Sequence, residues 1–357
     1  MSNQAKQIIE LFSQPAFLAK EQKVEWCNAA ARALVHEGTP LAEIMEDRDT
    51  LFSLWPCEGV AQLGVILQGR IYDATVKKHD DYLLFVLTLR AEQFASSASA
   101  VLNASVSMRK PLHSLLSAAE ELFERIDVSE AKDAAAQVNR AIYQLMRLCG
   151  QMFDGSRLLL QKMQVYRRPA DVKKFFDIFV SQVKPLIEAA GRRLVYEPLM
   201  QNVKADIDAA LIERAILNLI SNALAYTPSG GTISLRLQVQ DRRLLVMLSD
   251  DGEGISGDVL SSGTERRSEQ PSGDSRWGLG YGLPMVRQIA REHDGSMMIA
   301  ANESGQGTTA VFSISLEPTA LDLHTPMLTY DYCGGLNHAL VELSDTLGKE
   351  LYDPQEI

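Results

Sequence analysis

Asn218 and Asn222 stand four residues apart in the run LIERAILNLISNALAYTP, from Leu211 to Pro228. Apolar Leu211, Ala215, Leu219, Ala223 and Tyr226 recur there at helical spacing, so the two amides share a neighbouring face of one helix. Two amide oxygens one turn apart suit a hard cation such as Mg²⁺, which takes oxygen ligands and keeps several waters. Further on, the apolar strand LLVMLSD ends at Asp250, where a carboxylate can accept from an amino group inside a pocket. Gly252 and Gly254 then let the backbone approach a flat ligand closely. Gly278, Gly280 and Gly282 of GLGYG lead into the run LPMVRQIAREHDG. The free N–H groups and positive dipole end of a helix starting there suit phosphates.

Elements on either side must hold these groups around one pocket. Asp171 is placed to cap the helix VKKFFDIFVSQVKPLIEAAG, which Gly191 can end. RLVYEP and QNVKADI read as strands. Gly230 and Gly231 turn the chain into TISLRLQV and LLVMLSD, a hairpin around QDRR, and SMMIAAN and TTAVFSIS are two further strands around ESGQG. Three helices on one face of a mixed sheet make a two-layer α/β sandwich over residues 165–318. The polar, Ser- and Gly-rich stretch from Ser256 to Arg276 reads as a lid, in which Arg266, Arg267 and Arg276 can meet phosphates or solvent. His293 reads as a charge partner for a helix C-terminus.

Residues 93–164 carry a heptad rhythm. Val101, Ser105, Met108, Leu112, Leu115, Ala119, Leu122 and Ile126 step four and three along one seam. After IDVSE, Val138, Ile142, Leu145, Cys149, Met152, Ser156, Leu159 and Met163 repeat it. Two long helices with such seams form a hairpin. A narrow stripe buries more area by pairing with a second copy into a four-helix bundle, which predicts a homodimer. Pro111 lies inside the first helix and bends it.

Taken together, the Asn pair, the DxGxG at Asp250 to Gly254 and the GxGxG at Gly278 to Gly282 resemble, in order and spacing, the ATP-binding domain of sensor histidine kinases, a GHKL-type domain. The resemblance implies ATP and Mg²⁺ as ligands. By motif position Asn222 is the metal ligand with Asn218 in support, and Asp250 accepts from the adenine amino group. Gly252 and Gly254 admit the base, Gly278, Gly280 and Gly282 shape the phosphate lid, and Tyr226 lies near the nucleotide. A response regulator is the implied partner, and protein-histidine kinase the implied activity. The family's Phe-containing box before the lid is missing, and its frequent Lys after the second Asn is Ala225.

The hairpin departs from that family at one decisive place. The family's first helix carries His, an acidic residue, Leu, Arg, Thr or Ser, then Pro-Leu; this chain reads Val106-Ser107-Met108-Arg109-Lys110-Pro111-Leu112. Val106 has no nucleophilic atom, Ser107 replaces the acidic neighbour that would serve as general base, and Lys110 stands where a water-orienting Thr or Asn is found. His113, seven residues on, rotates only about 20° from Val106 around the helix. It is an alternative phosphoacceptor or a plain helix histidine, since its neighbours Leu112, Ser114 and Leu115 supply no base. Ser105 and Ser107 are hydroxyl alternatives. The competing reading is a catalytically silent ATP-binding scaffold that signals by conformation.

Residues 1–92 read as a small α+β module with strands at the end of IIELFSQPAFLA and at VEWC. Asn28 caps a helix AAARALV, and strand-like runs follow in GVILQGRIYDATVKKH and YLLFVLTLR. The arrangement is similar to a PAS sensor domain. Residues 319–357 form a linker and a tail with helical apolar spacing at Leu336, Leu340, Leu343 and Leu347, which either docks on the kinase domain or binds a partner. The fold class expected is thus multidomain α+β: PAS-like module, helical hairpin forming a dimeric four-helix bundle, and α/β sandwich. Composition agrees with an ordinary folded chain, at 46% hydrophobic and 23% charged over 357 residues. A net charge of −11 argues against general nucleic-acid binding. The four scattered cysteines form no CxxC pair, and the longest apolar run, YLLFVLTL, is far short of a membrane span, so a cytoplasmic location is expected.

Overall fold

The computed structural model describes residues 9–10, 12–45, 60–79, 82–89, 95–125, 132–159, 163–254, 282–302, 306–316 and 336–353. Strands β1 (Ala16–Lys20) and β2 (Lys23–Cys27) form a hairpin through Glu21 and Gln22, both at positive φ. After it the helix expected at AAARALV is absent, and residues 29–34 are successive turns. The fully buried Asn28 explains this. Its Oδ1 accepts from Ala16 N at 3.0 Å and Ala31 N at 2.9 Å, and its Nδ2 donates to the Phe12 and Gln14 carbonyls. The amide spends its bonds tying the entry of β1 to the turn, and the turns drop Ala31 and Val35 into the core. One helical turn, α1 (Leu41–Ile44), precedes β3 (Val60–Leu67), β4 (Arg70–His79) and β5 (Tyr82–Leu89). Gln68 and Gly69, both at positive φ, close β3 and β4 as a tight hairpin whose twist matches its strands. The module's order is β2-β1-β5-β4-β3, all antiparallel.

Helices α2 (Ala95–Arg125) and α3 (Lys132–Leu159) follow, packed against each other, with Pro111 inside α2. The heptad seam splits in two. Ser105, Leu112 and Ala119 of α2 and Ile142, Cys149 and Ser156 of α3 are buried, whereas Val101, Met108, Leu115, Leu122, Val138 and Leu145 remain exposed.

The next elements are β6 (Arg168–Asp171), α4 (Val172–Ala189), β7 (Arg193–Glu197), β8 (Lys204–Ile207), α5 (Ala209–Tyr226), β9 (Thr232–Gln240) and β10 (Arg243–Asp250). They are followed by α6 (Gly282–Glu292), β11 (Met297–Ala301) and β12 (Thr308–Ser315). Asp171 and Asp208 cap α4 and α5, accepting from Lys174 N and Leu211 N. The strands run β11-β12-β10-β9-β7, with β7 parallel to β9 and the other pairs antiparallel, and β6 pairs β8 apart from them. Alternation along the strands sends Leu244, Val246, Leu248, Ile299 and Phe312 into one core with the helices α4, α5 and α6.

The opposite face of that sheet is also covered, so the two-layer sandwich expected over residues 165–318 carries a third layer. Leu245, Met298, Ala300 and Val311 share an apolar cluster with Phe17, Val65, Tyr72 and Phe85 of the N-terminal module. Strand β3 pairs antiparallel with the edge strand β11, at Gln62 with Ile299 and Ala61 with Ala300. The two sheets thereby become one of ten strands among the described residues. The tail forms helix α7 (His338–Glu342), capped by Asn337, and a 3₁₀ turn at Lys349–Tyr352. It lies against α3 and α5, not free of the molecule.

Candidate nucleotide site

Asp250 ends β10 nine-tenths buried, with its Oδ1 accepting from Gly252 N at 3.0 Å and a second backbone donor at Thr308. Burial pushes this carboxyl above its ordinary range; the two N–H donors oppose that, and neighbouring Asp251 adds to it. Behind it lies a polar brace. Asn302 Nδ2 donates to the Asp250 carbonyl at 2.8 Å, Thr309 Oγ1 donates to Asn302 Oδ1 at 2.6 Å, and the Ser249 and Thr309 hydroxyls are 2.7 Å apart. Glycine is required around it for space. A Cβ on Gly252 would stand 2.5 Å from the Tyr226 carbonyl oxygen, and one on Gly307, at φ +83°, would collide with the Asp250 backbone. Gly254, at φ +76°, faces Gly307. Ser249, Asn302, Gly307, Thr308 and Thr309 were not singled out from the sequence. The signal is the Gly-Thr-Thr step after ESGQ, where the sequence predicts only a turn and the start of a strand.

Helix α5 links the other motif segments. At its C-terminus the Tyr226 carbonyl accepts from Glu253 N at 3.4 Å, which ties the helix to the DxGxG loop. Two turns earlier Asn218 meets the glycine segment, with its Oδ1 3.0 Å from where a Gly282 Cβ would lie. The Asn218 Nδ2 donates back to the Arg214 carbonyl at 3.0 Å. Asn222, one turn on, is half-buried. Its neighbour Ser221 is buried and accepts from Arg147 Nη2 of α3 at 2.8 Å. Gly278 and Gly280, and the lid arginines Arg266, Arg267 and Arg276, lie outside the described residues. The start of α5 is held by His293. Its Nε2 accepts from Asp208 N at 2.9 Å while its Nδ1 faces the Ile289 carbonyl at 2.8 Å. Burial lowers its pKa, so this is a neutral bridging imidazole and not the charged helix-end partner expected.

On the hairpin, the Val106 side chain is 52% exposed and Ser105 is fully buried, with its Oγ donating to the Leu102 carbonyl. His113 is half-buried in a cleft it shares with Arg109, Cys149, Arg214 of α5 and Glu342 of α7. Sequence neighbours offered His113 no base, but the fold brings a carboxylate into its cleft from the far end of the chain. Among the described residues no three His, Cys, Asp or Glu side chains cluster as a metal set, and no helix is long and apolar enough to cross a membrane.

Residues 207–318 match the family described as histidine kinase-, DNA gyrase B-, and HSP90-like ATPase. The histidine protein kinase DivJ of Caulobacter vibrioides is 28% identical over 250 residues, which is 68% of this chain and 41% of that protein. The autoinducer 2 sensor kinase/phosphatase LuxQ of Vibrio parahaemolyticus is 25% identical over 264 residues, 71% of this chain and 30% of that one. The chain thus spans less than half the length of these relatives. Full-length ShkA solved with AMPPNP superposes at a TM-score of 0.48 and 20% identity, over 60% of this chain and 45% of that one.

Proposed function

We propose that this chain, a member of the sensor histidine kinase family with a GHKL-type ATP-binding domain, binds Mg²⁺-ATP between α5 and the end of β10 and signals as a dimer. The observation that carries the reading is the buried Asp250 carboxylate at the end of β10, held by the Gly252 and Thr308 N–H groups in a loop where Gly252 and Gly254 pack closely on the Tyr226 and Gly307 backbones. Asp250 accepts from the adenine amino group, Gly252 and Gly254 admit the ring, and Tyr226 lines its approach. The Asn222 amide oxygen is the metal ligand, and Asn218 spaces α5 from Gly282. Gly282, with Gly278 and Gly280, belongs to the phosphate lid. An amide oxygen, waters and phosphate oxygens form an all-oxygen set of the kind Mg²⁺ takes. When bound, Mg²⁺ supplies charge neutralisation on the phosphates. ATP as ligand puts the site on the cytoplasmic side.

The homodimer is supported by the split seam. One half of each heptad closes the hairpin on itself, and the other leaves Val101, Met108, Leu115, Leu122, Val138 and Leu145 exposed on both helices. A second copy packing there makes a four-helix bundle. The five antiparallel strands with a connecting segment across one face support the PAS-like reading of residues 1–92. A response regulator is the partner in keeping with the family.

Val106 favours the second reading, a scaffold that binds ATP and transfers nothing. The two readings separate on incubation with Mg²⁺ and γ-labelled ATP, alongside Asn222→Ala and His113→Ala. Acid-labile, base-stable label lost in both variants identifies a histidine kinase with its acceptor at His113. Acid-stable label that survives His113→Ala moves the acceptor to a hydroxyl such as Ser107. Absence of label, with ATP binding that Asn222→Ala weakens, leaves the scaffold.

A further inference from the structure

The ATPase family match ends at residue 318, yet residues 336–353 are built into the molecule between two of its parts. On the hairpin side, Arg140 donates to the Ser344 and Asp345 carbonyls at 3.1 and 3.2 Å, and Arg147 pairs with Asp345. Asn139 donates to the Tyr352 carbonyl, Lys132 pairs with Asp353, and the Tyr143 and Tyr352 rings meet edge to face at 5.2 Å. On the ATPase side, His338 meets Glu213 at 3.1 Å, and Arg214 of α5 lies 3.7 Å from Glu342 while also pairing with Asp154 of α3. Glu342 also lies 4.0 Å from Arg147, so one tail carboxylate sits between an arginine of the hairpin and an arginine of the ATPase domain. Gly150 of α3 makes room for this, since a Cβ there would stand 3.1 Å from Arg214 Nη2.

We propose that residues 336–353 are an intramolecular strap that locks the ATPase domain against α3 and so restrains its movement along the hairpin. Three features favour a releasable strap over a piece of domain core. Its helical segments of five and four residues are too short to persist alone. Its contacts combine buried apolar side chains, Leu340, Leu343, Leu347 and Tyr352 among them, with buried charge pairs whose hold is lost when one partner is removed. It also acts next to the ligand helix, because Arg214 lies one turn before Asn218, whose amide bonds the Arg214 carbonyl. The strap also forms part of the wall of the His113 cleft, through Val341 and Glu342. Phosphoryl transfer requires reacting atoms about 3–3.5 Å apart. A domain held in one pose, with its strap walling the cleft of His113, cannot travel to bring a nucleotide to an acceptor there.

The test is pulsed dipolar spin-label spectroscopy on the full chain, diluted into unlabelled protein. Labels go on unnatural side chains at exposed Gln137 of α3 and Val239 of β9. The strap predicts one narrow distance distribution for the parent. It predicts about twofold broadening both in the Glu342→Gln, Asp345→Asn double variant and in Tyr352→Ala, with the thermal unfolding transition of the ATPase domain retained. A broad parent distribution, or folded variants as narrow as the parent, would overturn the proposal. So would loss of the ATPase transition in both variants, which would make the segment domain core. The significance for transfer rests on the kinase reading. Label from γ-labelled ATP should rise several-fold in the released variants. If no variant takes label, that reading fails while the distance distributions still decide the strap.

Discussion

Asp250 and His293 show how single side chains set this site. A buried carboxylate costs several kcal/mol unless it is satisfied, and Asp250 has backbone donors from two strand ends with a hydroxyl–amide brace behind them. His293 is held neutral, accepting at Nε2 from the residue that caps α5. Its folded pKa lies below the ordinary 6.5, so the unfolded chain takes up the proton first as pH falls. The stability it contributes is therefore present above the unfolded pKa and lost as pH falls through and below about 6.5. Between pH 7 and 5 the parent's unfolding midpoint should drop more steeply than that of His293→Gln; parallel profiles would contradict this. Asp250, Gly252 and Asn218 were legible because type and spacing in one short stretch mark them. Asn302, Thr308 and Thr309 were not, because their role depends on β12 lying beside the end of β10, and that pairing leaves no local mark.

At the level of elements, the two long helices were readable as a hairpin because a four-three rhythm over many turns admits few other structures. Which half of the rhythm turns inward was not readable, since the half that does, with Ser105, Ala119, Cys149 and Ser156, is the less apolar of the two. The structure decides it by burying Leu112 and Ile142 and exposing Leu115 and Leu145. Charge on the exposed half should split a dimer and spare the hairpin. In light scattering, Leu115→Glu with Leu122→Glu should run as a monomer with unchanged helix content, and a dimer of undiminished affinity would refute the bundle. The segment at residues 29–35 shows the converse. Its alanines and cap residue spell a helix, but the bonds Asn28 makes to Ala16 and Phe12 come from elsewhere in the chain and override local propensity.

For the whole molecule, the consequential feature is the sheet face that carries Leu245, Met298, Ala300 and Val311 under the N-terminal module. The strand runs LLVML, MMIAA and AVF are apolar on successive residues, a pattern that means burial on both faces. That much could be inferred from the sequence; what covers the second face could not, because residues near position 60 and position 300 become neighbours only in the fold. Arg287 of α6 adds a second tie, bonding Asp73 of β4 at 2.6 Å. The N-terminal module is thus joined directly to the helix that follows the glycine segment. Met298→Asp should lower stability by about 3 kcal/mol, and the same change at Met200, 95% exposed, by less than about 0.5 kcal/mol, both read from denaturant unfolding. Equal effects would mean that the face is open in solution.

Calorimetric titration of the full chain with Mg²⁺-ATP decides whether Asp250 and α5 build a nucleotide site. The parent should bind, and Asp250→Asn, which can still accept from Gly252 N–H, should weaken binding about 10- to 100-fold. Asn222→Ala should weaken binding in Mg²⁺ and leave the residual affinity in chelator unchanged. No binding by the parent, or equal affinity in parent and Asp250→Asn, would contradict the account.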